Sequence, residues 1–256
     1  MESSTLSRCM SVAAMCVLMA VPAVSSLADV VKGEVPVIVI RAGDLSEPLD
    51  DGAMTTFQAR ARTAAQRVAA YLGGTATREV EIVLDPEQRI PYTEDPDARG
   101  VVVIRLPMKR QGPDGGTEPG LSLEHELTHA IAPGGAHGDR LLVEGLAVHV
   151  QDLLGRPSHP DFEMSPDETV RTLEAKSGAI IPLADSETAR KRRESGDERR
   201  LAYAQEGSFV RWLIGTRGLD AFLGFYRSDA SYEEGLGASL AELEQGWRKA
   251  LAADRN

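Results

Sequence analysis

Cysteine is nearly missing from this 256-residue chain: Cys9 and Cys16 are its only two, and both lie near the start. A basic surplus is missing as well, since 28 Lys and Arg face 39 Asp and Glu for a net charge of −11. Past the N-terminal segment, no apolar stretch approaches the roughly 20 residues a membrane-spanning helix needs, and there is no internal repeat. The first absence excludes disulfide staples from the body of the chain, so its stability must come from a packed core, which a chain of this length can build. The second makes nucleic acid an unsuitable partner, because phosphate recognition draws on clustered Lys and Arg. The third leaves no stable membrane insertion once the N-terminal segment is removed.

That segment has its own pattern. Arg8 is followed by an apolar run from Val12 to Val24 and then by Ser26 and Ala28 at cleavage spacing. Residues 1–28 are therefore expected to be a secretory signal peptide, and the protein to be secreted or periplasmic. Pro22 interrupts the run, which argues against an uncleaved anchor. Lipidation of Cys16 is disfavoured because Met15, rather than a small residue, precedes it. Removing Glu2 and Arg8 with the leader leaves the net charge at −11.

Downstream, the run VPVIVIR ending at Arg41 reads as a short β-branched strand. Met54, Phe57, Ala61, Ala65, Val68 and Leu72 then recur at helical spacing until Gly73-Gly74 stops the chain. Val80–Leu84 and Val101–Leu106 read as further strands separated by a Pro- and Asp-rich loop, and Pro107–Gly120 as a surface loop.

The chemistry is concentrated in LSLEHELTHAIAPGGAHGDRLLVEGLAVHV, from Leu121 to Val150. A helix is expected over about Leu121–Ala132, with Leu123, Leu127 and Ile131 seating it on the core. His125 and His129, four residues apart, lie one turn apart on one helical face and can present two imidazoles to one ion. Glu126 is not needed as a ligand and occupies the general-base position of an H-E-x-x-H hydrolase. A second helix over about Asp139–Leu154 would return Glu144 to the histidines. That completes a His-His-Glu set with a position left for water, as catalytic zinc requires. Gly145 and Ala147 are small enough to let the two helices approach closely. His137 does not extend the motif, since a metzincin needs Gly and His where Ala132 and Gly135 stand.

HELTH followed by the glutamate of EGLAVH resembles the gluzincin metallopeptidases, specifically the peptidase MA-like families of exported bacterial proteins. YAQEGSFVRWLIGTRG, from Tyr203 to Gly218, is similar to the helix that follows the metal site there, and GASLAELEQGWRKAL to the C-terminal helix. The resemblance covers the last half of the chain. It implies an α+β, zincin-like fold: a small mixed sheet, then a mainly helical half carrying the site. Residues 29–256 would form one domain, strand-rich over 29–118 and helical over 119–256. It implies zinc held by His125, His129 and Glu144, with Glu126 activating water and Tyr203 steadying an oxyanion, a buried aromatic with its hydroxyl satisfied at the helix start being the other reading of Tyr203. It also makes Val101–Leu106 the candidate sheet edge that holds substrate backbone, an interior strand being the other reading. The expected substrate is a peptide or protein.

Two positions depart from the pattern. Val148 stands where thermolysin-like relatives carry a carboxylate that orients a histidine, leaving the ligands' supporting partners unassigned. His149 lies off the Glu144 face and reads as a packed or surface histidine, and His137 and His159 as loop residues. ARKRRESGDERR, from Ala189 to Arg200, reads as a solvated charged face or loop. Helices are expected over 201–216, 219–227 and 239–252, packing beneath the site. The rival to a peptidase is a cell-envelope binding or accessory protein stabilised by metal, with little catalysis.

Overall fold

Strands come first and helices after them, in a computed structural model that describes residues 35–42, 51–74, 79–88, 90–107, 123–132, 139–155, 164–178, 180–192 and 196–253. The leader, the Pro107–Gly120 loop past Pro107, the Pro133-Gly134-Gly135 turn, His137 and His159 lie outside these residues. The described elements are α+β: β1 (Val37–Ala42), α1 (Asp51–Tyr71), β2 (Glu79–Asp85), β3 (Tyr92–Thr93) and β4 (Val101–Pro107) precede α2 (Leu123–Ile131) and α3 (Arg140–Leu154). No described helix is long and apolar enough to cross a membrane.

The sheet runs β1-β2-β4-β3, with β1, β2 and β4 parallel and β3 antiparallel to β4. Its register sets Val80 opposite Val102, Ile82 opposite Ile104 and Leu84 opposite Leu106. Because side chains alternate across a strand, these six share one face, and all are buried. The polar members of the same strands, Glu79, Glu81 and Arg105, share the half-buried opposite face. The expectation that Val101–Leu106 forms the sheet edge is corrected here. β4 is interior, flanked by β2 and by the two-residue β3, and β3 is the edge on that side. A strand of two residues inside a Pro- and Asp-rich loop has no periodicity to announce it.

α1 carries the expected stripe, with Phe57, Ala61, Ala65, Val68 and Leu72 buried, and Gly73 ends it at φ 74°. On α2, Leu123, Leu127, Ala130 and Ile131 are buried; each fully buried Leu contributes about 2 kcal/mol by area. α3 starts at Asp139, whose carboxylate accepts from Leu141 N at 2.9 Å and from the Tyr232 hydroxyl at 2.6 Å. Tyr226 donates to the Ala132 carbonyl at 3.0 Å. Two tyrosines from the C-terminal part thus pin Ala132, which follows α2, and Asp139, which precedes α3.

α4 (Pro166–Ser177) opens with a Ser165–Glu168 capping box. After a 3₁₀ turn at Leu183–Asp185 come α5 (Ser186–Lys191), α6 (Gly196–Arg217), α7 (Leu219–Tyr226), α8 (Tyr232–Leu236) and α9 (Leu240–Ala253). α6 packs on α3, α4, α5, α7 and α9. Against α3 it interlocks through glycines: a Cβ at Gly145 would stand 2.5 Å from the Glu206 carbonyl, and one at Gly207 would stand 2.3 Å from Val148. The small residue expected to admit α2 therefore admits α6. Phe209 and Trp247 meet edge to face beneath α6, where Trp247 Nε1 donates to Ser208 at 2.8 Å.

Candidate metal centre

α2 and α3 bring His125, His129 and Glu144 together. The two Nε2 atoms lie 3.1 Å apart, and each is 3.5 Å from Glu144 Oε2. A tetrahedral ion with ligand bonds near 2.0–2.2 Å spaces its donors at about 3.3–3.6 Å. The triangle fits such an ion, and its two imidazoles and one carboxylate suit a borderline divalent cation. These residues form a group able to hold a metal ion.

Their electrostatics match. Burial works against the charged form of Glu144, yet hydrogen bonding and attraction from both imidazoles outweigh it and hold the carboxyl well below its usual range. Burial likewise pulls His129 down, but the Glu144 carboxylate and, more weakly, Glu126 raise it overall. One carboxylate oxygen of Glu144 therefore faces both ring nitrogens.

Glu126 sits beside His125 on the same helix, 4 % exposed. Thr93 on β3 reaches it: the hydroxyl lies 2.8 Å from Glu126 Oε2 and 3.1 Å from its carbonyl oxygen. The edge strand thus tethers the carboxylate expected to act as base. Tyr203 on α6 places its ring edge-on to His125, with centroids 6.4 Å apart. The guanidinium carbons of Arg190 and Arg199 lie 5.4 and 5.8 Å from its ring centre. Burial, then the Glu144 charge, raises the Tyr203 pKa despite both arginines, so the phenol keeps its proton.

The charged run from Ala189 to Arg200 is not uniformly solvated, which corrects the expectation for it. Lys191 and Arg192 are exposed, but Arg190, on α5, points inward with 9 % of its side chain exposed. Its Nη1 lies 3.2 Å from Glu144 Oε1, and its Nε 3.3 Å from Glu206. Glu206 on α6 has no exposed surface. Burial, reinforced by Glu144 and opposed by Arg190, pushes its pKa up to about 8. Arg190 contacts Glu144 and Glu206 contacts Arg190, whereas Val148 is packed on Gly207. The available signal was a glutamate within the apolar stretch AYAQEGSFV, which needs a cationic partner if buried.

His149 is packed, as expected, but not inertly. Its Nε2 lies 2.8 Å from the Tyr71 hydroxyl on α1, and its Nδ1 is buried without a hydrogen-bond partner among the described residues. Burial, with Arg211 acting in the same direction, holds its pKa down to about 4.

Comparisons with protein-family models, curated proteins and solved structures find no match.

Proposed function

We propose that this chain is an exported zinc-dependent peptidase of gluzincin type, with a zincin-like arrangement of sheet and helices. The observation that carries the proposal is the convergence of His125 Nε2, His129 Nε2 and Glu144 Oε2 within 3.1–3.5 Å of one another, with Glu126 on the same helix as the histidines. Two imidazoles and a carboxylate are the donor set of catalytic zinc sites that keep a position open for chemistry. Beside the three candidate ligands stand Glu126, with the Thr93 hydroxyl against it, and Tyr203, edge-on to His125.

When bound, zinc acts as a Lewis acid that polarises a carbonyl and lowers the pKa of water. The chain's own residues divide the remaining work. Glu126 accepts the proton of the attacking water and delivers it to the leaving amine. Thr93, donating to Glu126 Oε2 at 2.8 Å, keeps that carboxylate in one orientation. Tyr203, protonated through neutral pH, is suited to donate a hydrogen bond to the oxygen on which charge develops. The substrate is a peptide or protein, and the acidic chain disfavours nucleic acid. Export rests on the leader pattern of residues 1–28.

The test is hydrolysis of a peptide library by protein of measured zinc content, before and after chelation. One zinc per chain and chelator-sensitive cleavage are expected. A zinc-loaded protein that cleaves nothing and captures a cell-envelope partner would favour the accessory-protein reading instead.

A further inference from the structure

Glu144 is held from two sides. Oε2 faces the histidines at 3.5 Å, while Oε1 lies 3.2 Å from Arg190 Nη1. Arg190 is itself held, its Nε being 3.3 Å from Glu206. These three side chains come from α3, α5 and α6, and they are 11 %, 9 % and 0 % exposed. Burying ionised groups costs several kcal/mol each unless geometry and hydrogen bonding compensate, and well-packed apolar residues often replace such clusters without loss. A buried chain running from the Glu206 carboxyl through the Arg190 guanidinium to the Glu144 carboxylate therefore calls for a role beyond packing.

We propose that Arg190 is a positioning residue of the metal centre, braced by Glu206, and that it sets how Glu144 binds. With Nη1 occupying Oε1, only Oε2 is presented to the two Nε2 atoms. Glu144 is then confined to binding through one oxygen, and the position a second oxygen would take stays open for substrate. The same guanidinium lies over the Tyr203 ring, so one side chain links the ligand to the phenol. This inference rests on the metal-site reading above and adds to it a residue outside the motif and its downstream glutamate.

The test is zinc affinity, measured by competition with a chromophoric chelator on the full chain, for wild type, R190K, R190M and R190M/E206Q. Partners that orient a ligand typically contribute 10- to 100-fold to affinity. R190M and R190M/E206Q are expected to bind zinc 10- to 100-fold more weakly, and R190K, which keeps the charge but loses the planar fork, to recover part of the loss. In the double variant Glu144 keeps only the two imidazoles as partners, so a cooperative melt of the metal-free protein is the check that it folds. Affinity equal to wild type in a folded double variant would overturn the proposal and make the cluster a structural ion pair. If both Met variants fail to fold, R190K decides, and unchanged affinity there would overturn it equally. Wild-type protein that binds no zinc would instead overturn the metal-site reading itself.

Discussion

The two sides of the centre were built by different rules. On one side, α2 and α3 present His125, His129 and Glu144, all from helices whose apolar stripes are visible in the chain. On the other, α5, α6 and β3 present Arg190, Glu206, Tyr203 and Thr93, from a charged run, a long helix and a two-residue strand. Ligand geometry within one helix follows from a period of 3.6 residues and can be read locally. Support for those ligands comes from wherever the chain returns, and only packing decides that. Thus the ligand side is specified by spacing and the supporting side by tertiary contact.

The largest effect should come from breaking the ligand side. Replacing His129 with Ala removes one of three donors, and zinc content by elemental analysis should fall from one per chain to near zero. Stoichiometric zinc in that variant would contradict the assignment.

On the ligand side, the pairing of His149 on α3 with Tyr71 on α1 makes the fold sensitive to acid. The imidazole is held neutral in the folded state, at a pKa of about 4 against an ordinary 6.5. Its contribution is therefore complete above pH 6.5 and is lost as pH falls from there through 4, because the unfolded chain takes up the proton first. The gap corresponds to about 3 kcal/mol. Denaturant unfolding at pH 7 and pH 4 should show Y71F/H149L losing about that much less stability than wild type. An identical acid loss in the two proteins would rule the pair out as its source. Replacing both partners avoids leaving a lone buried polar group.

The α3–α6 contact comes next. A methyl group at Gly145 meets backbone, the Glu206 carbonyl at 2.5 Å, as well as Val210 at 2.6 Å. Gly145→Ala should destabilise the fold by about 1–3 kcal/mol through overpacking, read as a lower urea midpoint. It should also weaken zinc binding, because the displaced helix carries Glu206. A variant as stable as wild type would show that α3 and α6 have room to spare.

The smallest effect is expected at β3. Thr93→Val keeps the shape of the side chain and removes the donor to Glu126 Oε2. A typical hydrogen bond contributes about 0.5–1.5 kcal/mol, so turnover should fall by up to about tenfold with zinc content unchanged. Unaltered turnover would mean that Glu126 holds its orientation without the edge strand.

Much of the fold was legible. β1, α1, β2, β4, α2 and α3 lie where apolar periodicity put them, because each buries a stripe or face that its own sequence displays. β3 was not, since two residues make no pattern, and its pairing moved the sheet edge away from Val101–Leu106. α5 was hidden for a different reason: its Arg190 sits among charged neighbours that are solvated, and nothing local separates an inward guanidinium from an outward one. Gly145 was noticed as small, but which helix it admits depends on the return of α6. Val148 offers Glu144 no carboxylate partner of the kind a sequence motif would show, and the contact Glu144 does make, with Arg190, comes from another helix.

The central claim is that Glu126 acts on water beside a metal it does not hold. Zinc content and peptide turnover of Glu126→Gln, measured on the same preparation, test it most directly. One zinc per chain with turnover reduced by a factor on the order of 10² to 10⁴ is the expected result. Turnover equal to that of the wild type, with zinc in place, would contradict it.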